Sequence, residues 1–568
     1  MPQHRFAAGA QIQREDDVGP IETVAAGERV PACPGGAAGW RRPLAALLLA
    51  GLLTPTAWSQ AAPQTLERGN GPEPSTLDAH RCPEVACANI LRDLYEGLVA
   101  EDAGGRLIPG IADRWELGAD GRTWTFRLRE GLRWSNGEAL DAMQVVASFR
   151  RAFAPATAAP FAAHFDALAN APAVQRGELP AEALGVAAPD ARTVVFTLTR
   201  SADLPRLLTL PIAYPLHLPS LAAHGNRHTR PGNLVSNGAY TLVDWLPQSQ
   251  VTLERNPHFR EAAPIPRVRF HVTEDAASEL KRYEAGGLHI TETVPPQPLA
   301  SLQARFGGQL RIAPYLGTFW FGYNLTKPPF RDAKALREAL SLAIDRDILT
   351  RHVTGLGEVP AYGVVPPAIA GYAAATLPWD PSRRDQAARE ARARQLYAQA
   401  GYSEANPLEV EIRYNTSTPH RRLALAVAAM WREVLGVRVR LRNEEWKVFV
   451  GTRRARAITQ VFRGGWIADI DDPRNFLASF RRGDGSNWSG VDLPEFEALL
   501  ARADAAPTLE ERARLLRAAE ARLLAEHALI PVYHYTSKHL VRPEVGGFEA
   551  NPLDRHPSRF LTLGDVPR

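Results

Sequence analysis

At 568 residues, 45% apolar and 23% charged, the sequence sits among ordinary globular proteins, with room for several domains and a large core. Its formal charge is +4, and its arginines are dispersed and interrupted by acids, as over Arg383 to Arg394. That spacing reads as solvated helix faces and excludes the clustered charge of a nucleic-acid or membrane-binding stripe.

In chain order, residues 1–61 predict a leader rather than folded protein. Arg41 and Arg42 precede an apolar run from Leu44 to Leu53, and small residues follow it, spaced for cleavage after Ser59 or Ala61. The run is too short for a comfortable membrane span. The roughly forty residues before it are long for such a segment, so Val30 is one conceivable true start. No lipid-attachment motif surrounds Cys33, and a soluble, exported mature chain is expected. Cys82 and Cys87 then remain, in Cys-Pro-Glu-Val-Ala-Cys. In an oxidising compartment a disulfide is the first reading and two buried thiols the alternative.

The N-terminal half is strand-rich. Residues 123–129 and 193–199 alternate sides as half-buried strands do, Asp141 to Phe153 between them reads as a helix, and 238–242 with 251–253 predicts an antiparallel pair. Further on, Asp332 is the expected N-cap of a helix carrying Leu336, Leu340, Ala343 and Ile344 on one face. Residues 408–414 predict a strand, 421–435 a helix stopped by Gly436, and 437–441 a second strand, hence a parallel, right-handed strand-helix-strand unit. Ligands on such sheets gather beyond the carboxyl ends of the strands. Asn415 and His420 follow the first strand and Glu444, Glu445 and Trp446 the second, while Arg463 to Asp469 follow a third strand expected at 458–462. Three strand ends thus aim polar and aromatic side chains at one crevice.

The common signatures of acyl, metal, phosphate and hydride chemistry are missing, which counts against an enzyme without excluding one, and no cofactor and no metal are expected. His224 and His228 have i,i+4 spacing, but the glycines and proline around them argue for a surface loop. His534, in Tyr-His-Tyr, reads as a packed strand residue. Asp469 has two readings. It caps the turn before Asp471-Asp472-Pro473, or it receives a substrate ammonium beside the water-excluding Trp466, with Arg463 and Arg453 answering the other pole of a zwitterion.

At these residues the sequence resembles the peptide-binding branch of the periplasmic solute-binding proteins that serve ABC importers, family 5. The stretches that carry the likeness include Arg68-Gly-Asn-Gly with Ser75-Thr-Leu-Asp78, Arg92-Asp-Leu-Tyr-Glu-Gly-Leu98, Trp134-Ser-Asn-Gly137 and Ser236-Asn-Gly-Ala-Tyr240. Pro328-Pro-Phe330, Tyr414-Asn-Thr-Ser417, Glu445-Trp-Lys447, Gly465-Trp466 with Ala468-Asp469, and Leu553 extend it through nearly the whole mature chain. The resemblance implies an α/β fold of two lobes closing like a clamshell, with an extra domain. It assigns 62–95, 220–321 and 537–568 to one lobe, 96–219 to the extra domain and 322–536 to the other lobe. A short peptide would lie extended between the lobes of a periplasmic monomer, for delivery to an inner-membrane ABC permease. Nucleic acid is not an expected partner.

By the same resemblance Asp469 takes the peptide amino terminus, and Arg463 and Arg453 the carboxyl end for different lengths. Trp446, Asn415, His420, Trp320 and Tyr535 would line side-chain pockets, and Gly465 and Ile467 would offer backbone groups. Three departures fall where ligand contacts are expected: Pro83 at an acidic position, with Glu84 displaced by one; Phe161 in place of a tyrosine; and Glu292-Thr-Val294 in place of Tyr-Asn-Asn. Peptide length and side-chain preference are what these departures affect. The alternatives are a relative tuned to murein peptide, dipeptide or another small solute, or a periplasmic peptidase or chaperone.

Overall fold

The structure is a computed structural model that describes residues 64–377 and 385–564. The expected leader, with Val30, Cys33 and the exit near Ser59 and Ala61, lies outside the described residues.

Three large cores organise the chain, each on its own sheet. In the first sheet Thr65–Gly69, Arg267–His271, Gln250–Arg255 and Tyr240–Leu246 lie in that order, the first pair parallel and the others antiparallel. Alternation turns Leu66, Val268 and Phe270 inward, where they join Ile90, Leu91 and Leu94 of the helix Val85–Leu94. A disulfide between Cys82 and Cys87 ties the loop before this helix to its first turn.

The second sheet is antiparallel, in the order Ala112–Leu117, Thr123–Leu128, Thr193–Thr197, Val186–Asp190. The helix Ala142–Phe153 covers it, with Val145, Phe149 and Phe153 in one core with Phe126, Val194 and Phe196. This helix begins where the sequence predicts. The Asp141 carboxylate accepts from the Gln144 backbone N–H and the Gln144 side chain accepts from the Asp141 backbone N–H, so two donors at the helix start are satisfied reciprocally.

The third sheet has six strands in the order Val359–Pro360, Leu529–Leu540, Leu310–Tyr323, Val461–Ile467, Glu409–Asn415, Arg438–Glu444. Glu409–Asn415 pairs parallel with both its neighbours, through the helix Thr418–Leu435 to Arg438–Glu444 and beyond to Val461–Ile467. The parallel unit is the one expected, with shifted limits. The helix begins at Thr418 because Ser417 caps it, with Pro419 in the first turn, and it ends at Gly436 in the left-handed region at φ 72°. Asp332 is not the cap expected of it. The helix runs Lys334–Leu342 without a side-chain cap and Asp332 pairs with Arg331, although Leu336 and Leu340 are buried on the inner face and Ala343 and Ile344 are buried just past its end.

The third strand departs most from expectation. It runs Val461–Ile467, not 458–462, so Arg463 to Ile467 lie within it and Asp469 stands two residues past its end. Two adjacent glycines, Gly464 and Gly465, fall within it rather than beyond its end. Here they make room: Gly464 faces Trp320 and Gly465 faces Phe319 across the antiparallel pairing, and a Cβ at Gly464 would collide with the Trp320 indole.

Two strands of this sheet, Leu310–Tyr323 and Leu529–Leu540, pair along their length with two register shifts. Phe319 to Tyr323 and Leu529 to Tyr533 lie in the third core, whereas Leu540 packs beside Leu288, Leu302 and Leu356, and Val541 joins the first core. These two strands pass from one core to another.

Candidate ligand-binding site

The strand Val461–Ile467 sets up the site by its alternation. Arg463, Gly465 and Ile467 face one side together with their cross-strand partners Phe321, Phe319 and Gly317, and Phe462, Gly464 and Trp466 face the other. On the first side the Tyr535 hydroxyl lies 3.1 Å from where a Cβ of Gly465 would be, and Tyr533 stacks on Phe319 at 5.0 Å. The His420 ring lies 5.8 Å from the Phe319 ring, and the Arg463 guanidinium stands 5.7 Å from Phe319 and 5.9 Å from the exposed Trp446. Asn415, at the end of its own strand, completes this end.

This end is cationic and unanswered. Among the described residues neither Arg453 nor Arg463 forms an ion pair, and the buried Nε atoms of both, with Nδ1 of His420 and Oδ1 of Asn415, lack hydrogen-bond partners. Burial, with Arg463 and Arg454 nearby, lowers Arg453 to about 9, and burial with Arg463 pushes His420 down to about 3. Arg453 donates to the Arg463 carbonyl at 3.3 Å, and its guanidinium lies 3.3 Å over the Trp488 ring. Buried cations without acids are costly unless something anionic completes them.

Trp320 is not part of this face. It is 2% exposed, beneath Gly464, packed on Phe480 and Trp488, so the structure places it in the core behind the strand rather than in a side-chain pocket. Trp466 is on that side too, its indole N–H donating to Asn475 Oδ1 at 2.7 Å.

At the other end, Asp469 reaches out of the sheet. It is Asp472, accepting from the Arg474 N–H at 2.8 Å, that caps the following helix Pro473–Leu477. The Asp469 backbone is held instead, its N–H on Asn475 and its carbonyl accepting from Arg555, which leaves the carboxylate 3.3 Å from His164 Nε2 and 30% exposed. Asp469, Ile467 and Phe161 line one cavity of about 420 Å³ to which all three cores contribute. The departures from the family pattern gather here. Pro83, Glu84, Phe161 and Glu292 line this same cavity, and burial raises Glu292 to about 7. Arg92, also in the wall, forms no ion pair among the described residues and is lowered to about 10 by burial and Arg555.

Sequence reasoning missed what crosses to this end from the second core. His164 meets Asp469, Arg206 pairs with Asp471 at 2.7 Å, and Arg200 reaches Asp504 at 3.5 Å. Partners some 265 to 305 positions apart leave no local signal. His224 and His228 share no helix, one ending Leu218–His224 and the other lying beyond the Gly225 turn. His534 is a buried strand residue bonded to Thr318 Oγ1 at 2.9 Å.

Comparison with known proteins identifies the family and the fold. The sequence matches "Bacterial extracellular solute-binding proteins, family 5 Middle" over residues 106–488. It is 36% identical over 524 residues to the periplasmic oligopeptide-binding protein OppA of Salmonella typhimurium, covering 90% of this chain and 95% of that one. Among solved structures it is similar to the unliganded open form of the murein tripeptide-binding protein MppA, at 33% identity and TM-score 0.77 over 89% of this chain and 98% of that one. It is similar also to the Haemophilus influenzae OppA complex with RPPGFSPFR, at 33% identity and TM-score 0.74 over 89% and 99%. The chain therefore belongs to family 5 of the bacterial extracellular solute-binding proteins and has their two-lobed α/β fold.

Proposed function

We propose that this protein is an exported periplasmic monomer that captures short peptides and hands them to an inner-membrane ABC importer without chemical change. The observation that carries this reading is an open strand edge. Val461–Ile467 pairs with Glu409–Asn415 only at Val461 and Phe462, so from Arg463 to Ile467 no strand among the described residues covers that edge. An extended peptide adds there by backbone hydrogen bonds, and its side chains enter the aromatic-lined spaces on either side. Asp469 neutralises the α-ammonium at one end, and Arg463 or Arg453 takes the α-carboxylate at the other.

The spacing supports more than a dipeptide. From Arg463 to Asp469 are six residue steps, roughly 20 Å of extended chain at about 3.3 Å each. Residues 62–95, 220–321 and 537–568 form one lobe, 96–219 the extra domain and 322–536 the other lobe, and closure about the crossing strands brings both sides onto the ligand.

The test is the identity of what the protein carries. Mass spectrometry of ligands released from protein purified from the periplasm is expected to give a mixed population of intact short peptides. A single non-peptide solute, or a set of trimmed products, overturns the reading.

A further inference from the structure

A second constellation reaches the wall of the ligand cavity through Asp554 and plays no part in holding peptide as described above. His539 comes from the crossing strand Leu529–Leu540, and Asp554 and His556 from the segment near the C-terminus. One carboxylate oxygen, Asp554 Oδ1, lies 2.8 Å from His539 Nε2 and 3.1 Å from His556 Nε2, and the three donor atoms all fall within 4.8 Å of one another. The side chains are 6%, 18% and 6% exposed for His539, Asp554 and His556.

The surroundings hold the donors in place. His539 Nδ1 is bonded to the Thr291 carbonyl at 2.8 Å, which fixes the ring and reserves Nε2 for the cluster. A backbone carbonyl in that position is the usual outer partner of a metal-bound imidazole. Phe548 stacks on His556 at 4.0 Å and meets His539 edge-on at 5.4 Å, so neither imidazole is free to turn away. Asp554 adopts φ 56°, the left-handed region that only a few residue types tolerate, and this turns the chain there between the two histidines' elements. Asp554 also lines the cavity of about 420 Å³, which gives the cluster a route to solvent.

We propose that His539, Asp554 and His556 form a binding site for a zinc-type divalent cation. Two imidazole nitrogens and a carboxylate oxygen are a zinc donor set, and ligands about 2.0–2.2 Å from a tetrahedral ion stand roughly 3.3 Å apart, close to the two spacings found here. Three protein ligands leave a fourth position for water. The ion joins the segment near the C-terminus to the strand that crosses between cores, so its effect is to stiffen one side of the hinge. The competing arrangement is a metal-free cluster in which both imidazoles donate to one carboxylate.

The inference does not depend on peptide binding, and its test does not either. The full mature protein, free of any histidine tag and stripped with EDTA, is dialysed against Zn²⁺, and bound metal and thermal unfolding are measured for the wild type, His556→Gln and Asp554→Asn. Expected are one tightly held zinc per wild-type chain and a midpoint raised by zinc. Either variant is expected to lose more than the roughly 10–100-fold in affinity that removal of an outer partner costs. Equal zinc uptake by wild type and variants, or no uptake by the wild type, overturns the site. Should the variants fail to fold, Co²⁺ loaded into the wild type decides: intense tetrahedral absorption supports the site, and weak octahedral absorption overturns it.

Discussion

The two ends of the strand Val461–Ile467 are built differently. At the Arg463 end Phe319 and Tyr535 belong to the third core, His420 and Trp446 stand beside them, and among the described residues neither Arg463 nor Arg453 forms an ion pair. At the Asp469 end the cavity is assembled from three cores, and the carboxylate meets a histidine of the second. On the reading proposed above, the carboxyl-end site is preformed within one lobe, whereas the amino-end site is completed only when the pieces come together. On that reading, ligand length is read at the first end and closure at the second.

The largest effect expected is on the assembled end. Truncating one partner of a buried, hydrogen-bonded charge pair costs about 2–5 kcal/mol, so Asp469→Ala is expected to weaken a tripeptide by roughly thirty- to several-thousand-fold without unfolding the protein. An N-acetylated tripeptide removes the same contact from the ligand's side. Calorimetry on both proteins with both peptides gives the coupling. Additive losses would mean that the amino-terminal anchor lies elsewhere and that the two ends do not differ as described.

At the preformed end the effect is smaller and depends on length. Arg463→Gln removes a charge-assisted contact of about 1.5–3 kcal/mol, roughly ten- to a hundredfold in affinity, for peptides long enough to reach it. Amidating the carboxyl terminus should abolish the difference between wild type and variant. A variant that weakens free and amidated peptides alike would assign Arg463 a role in packing.

The smallest effect concerns stability in acid. His420 is held near 3 in the folded protein against about 6.5 unfolded, so the unfolded chain binds more protons between those values. Its contribution is fully present above pH 6.5 and is lost as pH falls toward 3. Down to pH 5 the loss is about 1–2 kcal/mol. Denaturant melts of wild type and His420→Phe should converge as pH drops from 7 to 5, and parallel curves would separate His420 from the cationic cluster.

Much of this arrangement is legible in the sequence where local chemistry decides. Asp141 with Gln144 announces a helix start, Gly436 a helix end, and the two strands around Thr418–Leu435 a parallel unit. The Gly-Trp-x-x-Asp run draws attention to Asp469 before any coordinates, as the residue proposed for the amino end. What fails is what depends on a neighbour distant in sequence. Arg463 to Ile467 are expected beyond the strand yet continue it, because the reason for Gly464, the bulk of the Trp320 indole, lies about 145 residues away. The resemblance assigns Trp320 to a side-chain pocket, and only the strand pairing shows that it falls on the other side, against Phe480 and Trp488. His164 carries no motif, and it meets Asp469 only because the second core packs there.

The uncovered edge from Arg463 to Ile467 has a cost as well as a use. A row of unpaired backbone groups accepts any extended chain, including a stretch of another copy of this protein, and such edges are where aggregation starts. Here the exposure is five residues long, interrupted by two glycines and flanked by a carboxylate and arginines. A segment that short holds one brief strand weakly and gives a growing sheet little to extend. The same brevity that suits a passing peptide protects the protein, so lengthening this edge for tighter capture would be expected to trade solubility for affinity.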